Sequence, residues 1–200
     1  MTILVMDLGG VTCAWVPDRR LVSLAELSGL PPATVDGLVF ESGLDDAGER
    51  GQFTLPAFLD ALRSVLNLGP AQVSDDDLRR AWASAFEPNR RVLALIDRAT
   101  CPAALFTNNG PLLEAALGHD LAEVGDVFDR LVFSWHLGTT KPDPTSFPAA
   151  ADVLDVDPRE IVFVDDSEAN VDAARVAGWR AHRYTDALNL AAALTNEDVL

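Results

Sequence analysis

The sequence predicts an α/β fold, a doubly wound (Rossmann-like) parallel sheet core with an inserted helical cap. Short apolar runs, typical of strands buried on both faces, recur along the chain and are stopped by glycine or polar residues. Helical patterns separate most of these runs, as crossover connections between parallel strands require. One long stretch, from about residue 15 to residue 87, breaks this alternation because it shows helical periodicity and no convincing strand.

The apolar runs predict strands at residues 3–6, 103–106, 131–134 and 161–164, with a fifth candidate at 181–184. Between and after them we expect helices over residues 92–99, 111–117, 145–154 and 169–177. Asp143 followed by Pro144 is typical of an N-cap and a first helical turn. Gly178 is a typical helix C-cap.

The stretch that lacks strands is predicted to pack as a small helical lobe. Its apolar residues between positions 55 and 66 follow the i, i+3, i+4, i+7 rule, and Ser74 is a candidate N-cap for a second helix. We therefore divide the chain into a core of residues 1–14 and 88–200 and a cap of residues 15–87.

The net charge of the chain disfavours some classes of binding partner. The chain has 200 residues, 15 of them Lys or Arg and 31 Asp or Glu, which gives a formal charge of −16. A field of that sign repels phosphate backbones and anionic lipids, so neither nucleic acid nor a membrane is expected as a partner. An acidic protein that handles an anionic substrate needs a metal ion or a well-placed lysine.

Other site classes are disfavoured by composition. No segment approaches the ~20 apolar residues of a membrane span, and the N-terminus lacks the basic region of a signal peptide. Two cysteines and three histidines make a disulfide framework or a His/Cys zinc site improbable. A cytoplasmic location is the resulting expectation.

Polar residues follow the predicted strands closely. In an open parallel sheet the carboxyl ends of the strands share one edge, where ligands bind. Each residue has a structural alternative as a turn, cap or surface residue, but their joint occurrence favours phosphoryl transfer, which needs a nucleophile, donors to phosphoryl oxygens, a counter-charge and metal ligands. The residues so placed are Asp7, Thr107, Asn108, Lys141, Asp165 and Asp166.

These motifs resemble those of the haloacid dehalogenase-like hydrolase superfamily over essentially the whole chain. They are an apolar strand and Asp-Leu-Gly-Gly-Val at residues 7–11, Thr-Asn at 107–108, Lys-Pro-Asp-Pro at 141–144 and Asp-Asp-Ser at 165–167. The insertion resembles the helical (type I) cap of that family. The overall pattern is most similar to glucose-1-phosphate phosphatase-like proteins and, more loosely, to the phosphatase domain of epoxide hydrolases.

The resemblance implies roles for the matched residues. Asp7 would attack phosphorus and form an aspartyl-phosphate, while Lys141 neutralises charge. The Thr107 hydroxyl and the Asn108 backbone N–H would bind phosphoryl oxygens. The resemblance also implies Mg²⁺, held by Asp7, the Gly9 carbonyl and Asp166, with Asp165 either a direct ligand or orienting a metal-bound water.

One position departs from the family pattern. Most phosphatases of the superfamily carry a second aspartate two residues after the nucleophile, as general acid and base. Here that residue is Gly9, although the glucose-1-phosphate phosphatase-like relatives also show glycine. General acid–base catalysis contributes ~10²–10⁴-fold. A cap residue such as Glu49, a metal-bound water, or a slow or specialised enzyme would each account for the departure.

The predicted function is Mg²⁺-dependent hydrolysis of a small phosphorylated metabolite, with a sugar phosphate as the substrate that the resemblance favours. A 2-haloacid dehalogenase is the first alternative, disfavoured by the acidic pair at Asp165 and Asp166. A non-catalytic phosphate-binding or regulatory protein is the second, because Gly9 lacks a side chain. The exact substrate and the oligomeric state stay open.

Overall fold

The core of the protein is a parallel five-stranded sheet. A computed structural model describes residues 1–69 and 71–200. The strands are β1 (Ile3–Met6), β4 (Ala103–Thr107), β5 (Arg130–Phe133), β6 (Ile161–Asp165) and β7 (Arg180–Arg183). They lie side by side in the order β5-β4-β1-β6-β7. All neighbours pair in parallel, so the five predicted strands are confirmed, with ends that differ by at most one residue.

Helices cover both faces of this sheet, as the doubly wound prediction requires. Strands β1, β4 and β6 are buried along their whole length, which explains their continuous apolar sequences. The core helices are α6 (Arg90–Ile96), α7 (Pro111–Leu117), α8 (Ala122–Gly125), α9 (Ser134–Leu137), α10 (Ser146–Leu154), α11 (Glu168–Val176) and α12 (Ala187–Asn196), with a 3₁₀ turn at Pro158–Glu160. In the described chain no helix is both long and apolar enough to cross a membrane.

The inserted segment is helical, with a strand at each end that the sequence analysis did not predict. Its helices are α1 (Pro17–Ser28), α2 (Pro32–Asp36), α3 (Leu44–Glu49), α4 (Leu55–Leu66) and α5 (Asp75–Ala83), with a π turn at Gly37–Glu41. Strand β2 (Cys13–Trp15) pairs antiparallel with β3 (Phe86–Pro88). The expectation of no strand from residue 15 to residue 87 is therefore wrong at both ends, because three-residue strands are too short to show an alternating pattern.

Two helix starts test the capping arguments. Ser74 is the N-cap of α5, and its side chain and that of Asp77 form a reciprocal capping box. Asp143 is not an N-cap: α10 begins at Ser146 after Thr145, and the Asp143 carboxylate accepts hydrogen bonds from the Thr145 N–H and hydroxyl. A local turn formed by this aspartate thus replaces the predicted first helical turn.

The inserted helices pack directly on the core. Helices α4 and α5 lie against α7, and α3 lies against α9. Contact is close between two glycines, since a Cβ atom on Gly110 would lie only 3.2 Å from the backbone carbon of Gly48. The division into a core and a cap with the boundaries given above stays a prediction, and residues 13–15 and 86–88 connect the two parts.

Candidate active site

The polar residues that follow the central strands lie together at one edge of the sheet. Strand β1 lies between β4 and β6, and Met6 pairs with Leu105 on one side and with Val164 on the other. The residues directly after or at the ends of these strands therefore meet. They border a cavity of about 280 Å³, whose lining residues are Asp7, Gly9, Trp15, Arg20, Asp45, Glu49, Phe86, Thr107, Asn108, Asn109, Lys141, Asp166 and Asn170.

A buried lysine connects two carboxylates beneath this cavity. Lys141 Nζ donates to Asp7 Oδ1 at 2.7 Å, to Asp165 Oδ2 at 2.7 Å and to the Phe106 carbonyl oxygen at 2.8 Å. All three donors of the ammonium group are thereby used. Asp7 Oδ2, in contrast, accepts no hydrogen bond within the described chain. One oxygen of Asp7 is fixed and the other is left for the cavity.

The loop after β4 positions the lysine through its backbone. Asn108 Nδ2 donates to the Lys141 carbonyl oxygen at 2.7 Å, and the Lys141 N–H donates to Asn108 Oδ1 at 2.8 Å. The adjacent Thr107 hydroxyl oxygen accepts from Asn109 Nδ2 at 2.7 Å. The Thr107 hydroxyl donates to no acceptor in the described chain, so its hydrogen is available for a ligand in the cavity.

Burial sets the charge state of this cluster. Burial raises the pKa of Asp7 to about 6, a rise opposed by Lys141 and assisted by the charge of Asp165. Burial tends to lower the pKa of Lys141, but attraction by Asp7 and Asp165 outweighs it, so the lysine pKa lies above its ordinary value. Lys141 is therefore a fixed cation beside Asp7, and burial disfavours the ionised form of Asp7.

The two adjacent aspartates after β6 differ in environment. Asp165 is fully buried, and both its oxygens accept hydrogen bonds from Asn170, with the Ser167 N–H and Lys141 as further donors. Asp166 is exposed and lines the cavity, and burial of part of its surface together with the Asp165 charge raises its pKa. Asp165 orients its neighbours, whereas Asp166 is free to bind a ligand.

Carboxylate oxygens of Asp7, Asp165 and Asp166 lie within 4.8 Å of one another. Gly10 makes room for this cluster: its φ is +81°, and a Cβ atom there would lie 2.1 Å from Asp166 Oδ2. The Gly9 carbonyl oxygen accepts no hydrogen bond from the described residues. These oxygens form a hard donor set of the kind that suits Mg²⁺.

The opposite wall of the cavity comes from the inserted segment. The Arg20 guanidinium is buried, stacks over the Trp82 ring at 4.2 Å from its centroid, and donates from Nε to the Trp82 carbonyl oxygen at 2.9 Å. Its Nη2 atom is buried with no partner among the described residues. Trp15 and Phe86, whose ring centroids are 4.8 Å apart, form an aromatic surface beside it.

Helix α3 adds two carboxyl groups to that wall. Asp45 and Glu49 are four residues apart, so they lie on one face of the helix, and both line the cavity. Burial, followed by the charges of Asp45 and Asp46, raises the pKa of Glu49 to about 8. Burial also raises the pKa of Asp45, against the attraction of Arg20.

The structure brings the predicted site residues together. Six of them line the cavity, namely Asp7, Gly9, Thr107, Asn108, Lys141 and Asp166, and Asp165 lies behind them. Their chemical roles stay predictions. Sequence reasoning missed Arg20, Asp45 and Phe86; the i, i+4 spacing of Asp45 and Glu49 was a readable signal, whereas nothing local marked Arg20.

Curated relatives share most of the chain. It is 29% identical to Phosphatase MT3486 of Mycobacterium tuberculosis over 189 residues, which are 91% of this chain and 86% of that protein. It is 35% identical to a phosphoglycolate phosphatase of Neisseria meningitidis over 177 residues, 86% of this chain and 75% of that one. It is 25% identical to a D-ribitol-5-phosphate phosphatase of Bacteroides thetaiotaomicron over 184 residues, 88% of either chain.

Solved structures share the fold. A HAD-like family hydrolase of Porphyromonas gingivalis superposes with a TM-score of 0.76 at 22% identity, covering 98% of this chain and 97% of the other. A HAD family enzyme of Bacteroides thetaiotaomicron, in complex with magnesium and inorganic phosphate, superposes with a TM-score of 0.74 at 23% identity, covering 92% and 94%. The family model described as haloacid dehalogenase-like hydrolase matches residues 40–178. With the fold, the strand-end motifs and this match in agreement, the chain belongs to the haloacid dehalogenase-like hydrolase family.

Proposed function

We propose that this enzyme is a Mg²⁺-dependent phosphatase that hydrolyses a small phosphomonoester, a sugar or polyol phosphate, through an aspartyl-phosphate at Asp7. The observation that carries the proposal is the asymmetric environment of Asp7. Lys141 holds Oδ1 at 2.7 Å, while Oδ2 has no partner in the described chain and Asp7 lines the cavity. A carboxylate with one oxygen fixed and one free is placed to act as a nucleophile.

The donor set fits Mg²⁺. Asp7, Asp166 and the Gly9 carbonyl would hold the ion, and Asp165 acts indirectly because its oxygens are already engaged by Asn170 and Lys141. When bound, Mg²⁺ supplies positive charge that offsets the repulsion between a carboxylate and a phosphate dianion.

The remaining chemistry belongs to the side chains of this site. Asp7 Oδ2 bonds to phosphorus as the ester P–O bond breaks, and water then cleaves the acyl phosphate and restores the carboxylate. The Lys141 ammonium, fixed by three acceptors, stabilises negative charge that develops near Asp7. The Thr107 hydroxyl donates to one phosphoryl oxygen and the Asn108 N–H to another.

The cavity supports a small polyhydroxylated leaving group. Its volume of about 280 Å³ suits a small metabolite. On the cap side, Arg20 offers donors, Asp45 and Glu49 offer donors or acceptors to hydroxyl groups, and Trp15 with Phe86 provides an apolar surface. The similarity to a D-ribitol-5-phosphate phosphatase points in the same direction.

The test is hydrolysis of 4-nitrophenyl phosphate with Mg²⁺ and with a chelator, beside the Asp7→Asn variant. We expect turnover that needs the metal and is lost in the variant. Borohydride reduces an acyl phosphate but not a carboxylate, so trapping during turnover should convert Asp7 to the alcohol and leave the variant unchanged, as read by peptide mass. A panel of sugar and polyol phosphates then tests the substrate class.

Two further measurements test the alternatives. Release of halide from a 2-haloacid, with no effect of the chelator, would indicate a dehalogenase. Binding of inorganic phosphate without turnover of any phosphomonoester would indicate a non-catalytic protein. Either result would overturn the phosphatase proposal.

A further inference from the structure

The leaving group of a sugar phosphate needs a proton, and among the described residues the core side of this site has no free group to supply it. Lys141 is committed to three acceptors, Asp7 is the proposed nucleophile and Asp166 a proposed metal ligand. Gly9 contributes only backbone. The remaining titratable groups that line the cavity, Arg20, Asp45 and Glu49, all come from the inserted segment.

Arg20 and Asp45 are poorly suited to proton transfer. The pKa of Arg20 is lowered by burial, but only to about 10, so the guanidinium stays charged near neutral pH and is a weak acid. Arg20 is the strongest charge acting on Asp45 and favours its ionised form, whereas on Glu49 two aspartates outweigh the arginines. Glu49 is the group that these criteria leave.

The backbone of Glu49 is attached to the loop proposed to bind the phosphoryl group. The buried Ser134 hydroxyl donates to the Glu49 carbonyl oxygen at 2.8 Å and accepts from the Asn109 N–H at 3.1 Å. A Cβ atom built on Gly110 would lie 3.6 Å from the Glu49 nitrogen. One side chain of the core thus fixes the distance between Glu49 and the residues that follow β4.

We propose that Glu49, from the cap, is the general acid and base of this phosphatase, taking the place that Gly9 leaves without a side chain. The inference rests on the proposed function. The Glu49 carboxyl gives its proton to the ester oxygen as the P–O bond breaks, and the leaving group departs as an alcohol. The carboxylate that results accepts a proton from the water that attacks the aspartyl-phosphate, which releases phosphate and restores protonated Glu49.

The charge state of Glu49 agrees with this role. The groups that act on it are Asp45 and Asp46 on its own helix, Arg20 on α1 and the adjacent Arg50. Burial and the two aspartates outweigh the two arginines and raise the pKa to about 8. The carboxyl is therefore protonated at neutral pH, ready to donate.

The experiment compares two phosphomonoesters of similar size, 4-nitrophenyl phosphate and phenyl phosphate, in the wild type, Glu49→Gln and the matched control Glu26→Gln, an exposed glutamate on α1 away from the cavity. 4-Nitrophenolate is stable enough to leave as the anion without a proton, whereas phenolate is more basic and depends more strongly on protonation as it leaves. For Glu49→Gln we expect kcat/KM to fall about 10²-fold on phenyl phosphate and less than about threefold on 4-nitrophenyl phosphate. Glu26→Gln should leave kcat/KM on both substrates unchanged.

A burst of nitrophenol in the first turnover of Glu49→Gln is expected as well, because the aspartyl-phosphate then accumulates. Equal losses on the two substrates in Glu49→Gln would overturn the acid role and leave the phosphatase proposal standing. Absence of turnover in the wild type would overturn the phosphatase proposal itself. If Glu49→Gln does not fold, the wild type decides: kcat/KM on phenyl phosphate should decline above about pH 8 while 4-nitrophenyl phosphate shows a smaller decline, and parallel profiles would refute the role.

Discussion

Replacing the proposed nucleophile should make the metal-free protein more stable while abolishing turnover. In Asp7→Asn the side chain keeps its size and one carbonyl oxygen, so Lys141 retains an acceptor at the position where Asp7 Oδ1 lies 2.7 Å from Nζ. What the substitution removes is a buried charge. Burial raises the pKa of Asp7 from 3.8 to about 6, so the ionised form is held in the folded state at a cost.

The size of the effect follows from that shift. About two pKa units correspond to about 3 kcal/mol of unfolding free energy. The sign is set by the direction: because the folded pKa is raised, the wild type loses this stability as pH rises from about 4 to about 6, and the full cost is present above that window. An incompletely bonded amide in the variant costs ~1–2 kcal/mol. A net gain of ~1–2 kcal/mol remains, or ~2–8 °C in Tm for a chain of this size.

The assay is thermal unfolding in a chelator at pH 8 and at pH 4.5, with Asp60→Asn, an exposed carboxylate on α4, as the control. Asp7→Asn should melt above the wild type at pH 8, the gap should narrow at pH 4.5, and the control should shift the unfolding free energy by no more than about 0.5 kcal/mol. Added Mg²⁺ should stabilise the wild type more than the variant and narrow the gap at pH 8. A variant that melts below the wild type at pH 8 in chelator would refute the reasoning.

Further perturbations test the remaining parts of the site. Lys141→Met should lower the unfolding free energy by about 3–5 kcal/mol in urea titrations, because two buried carboxylates lose their counter-charge; an unchanged midpoint would contradict this. Ser134→Ala should cost about 1–3 kcal/mol and speed amide exchange in α3, since a buried carbonyl and N–H lose their partner, and unaltered α3 exchange would argue against it. Gly10→Ala should weaken Mg²⁺ binding at least ~10-fold by calorimetry, as its Cβ displaces Asp166; equal affinity would be the contrary result. Glu49→Gln should remove the decline of wild-type phenyl phosphate hydrolysis above about pH 8, which persists if another group titrates.

Local sequence determined the sheet and the place of the chemistry. Short apolar runs such as residues 3–6 and 161–164 become fully buried parallel strands because little else buries four consecutive apolar residues between glycine and polar stops. Once the strands are parallel, the residues after them share an edge. Asp7, Thr107 and Asp166 were therefore predictable as neighbours without a structure.

Tertiary structure decided which of two adjacent carboxylates is engaged and which is free. The resemblance left open whether Asp165 binds a metal directly, and the structure turns Asp165 toward Lys141 and Asn170 and leaves Asp166 at the cavity. Alternation of side chains along a strand sets that choice, and its sense depends on how β6 lies against its neighbours.

The wall of the cavity that the inserted segment forms is the part of the site that the sequence by itself did not determine. Arg20 is 62 residues from Trp82, whose carbonyl oxygen and ring hold it, and Glu49 is 85 residues from Ser134, which fixes its backbone. No local period relates such positions, because Arg20 and Trp82 meet only where α1 packs on α5, and Glu49 and Ser134 only where α3 packs on α9. The sequence therefore placed the proposed nucleophile and the charges around it, while the packing of the inserted helices decided which side chains face it across the cavity.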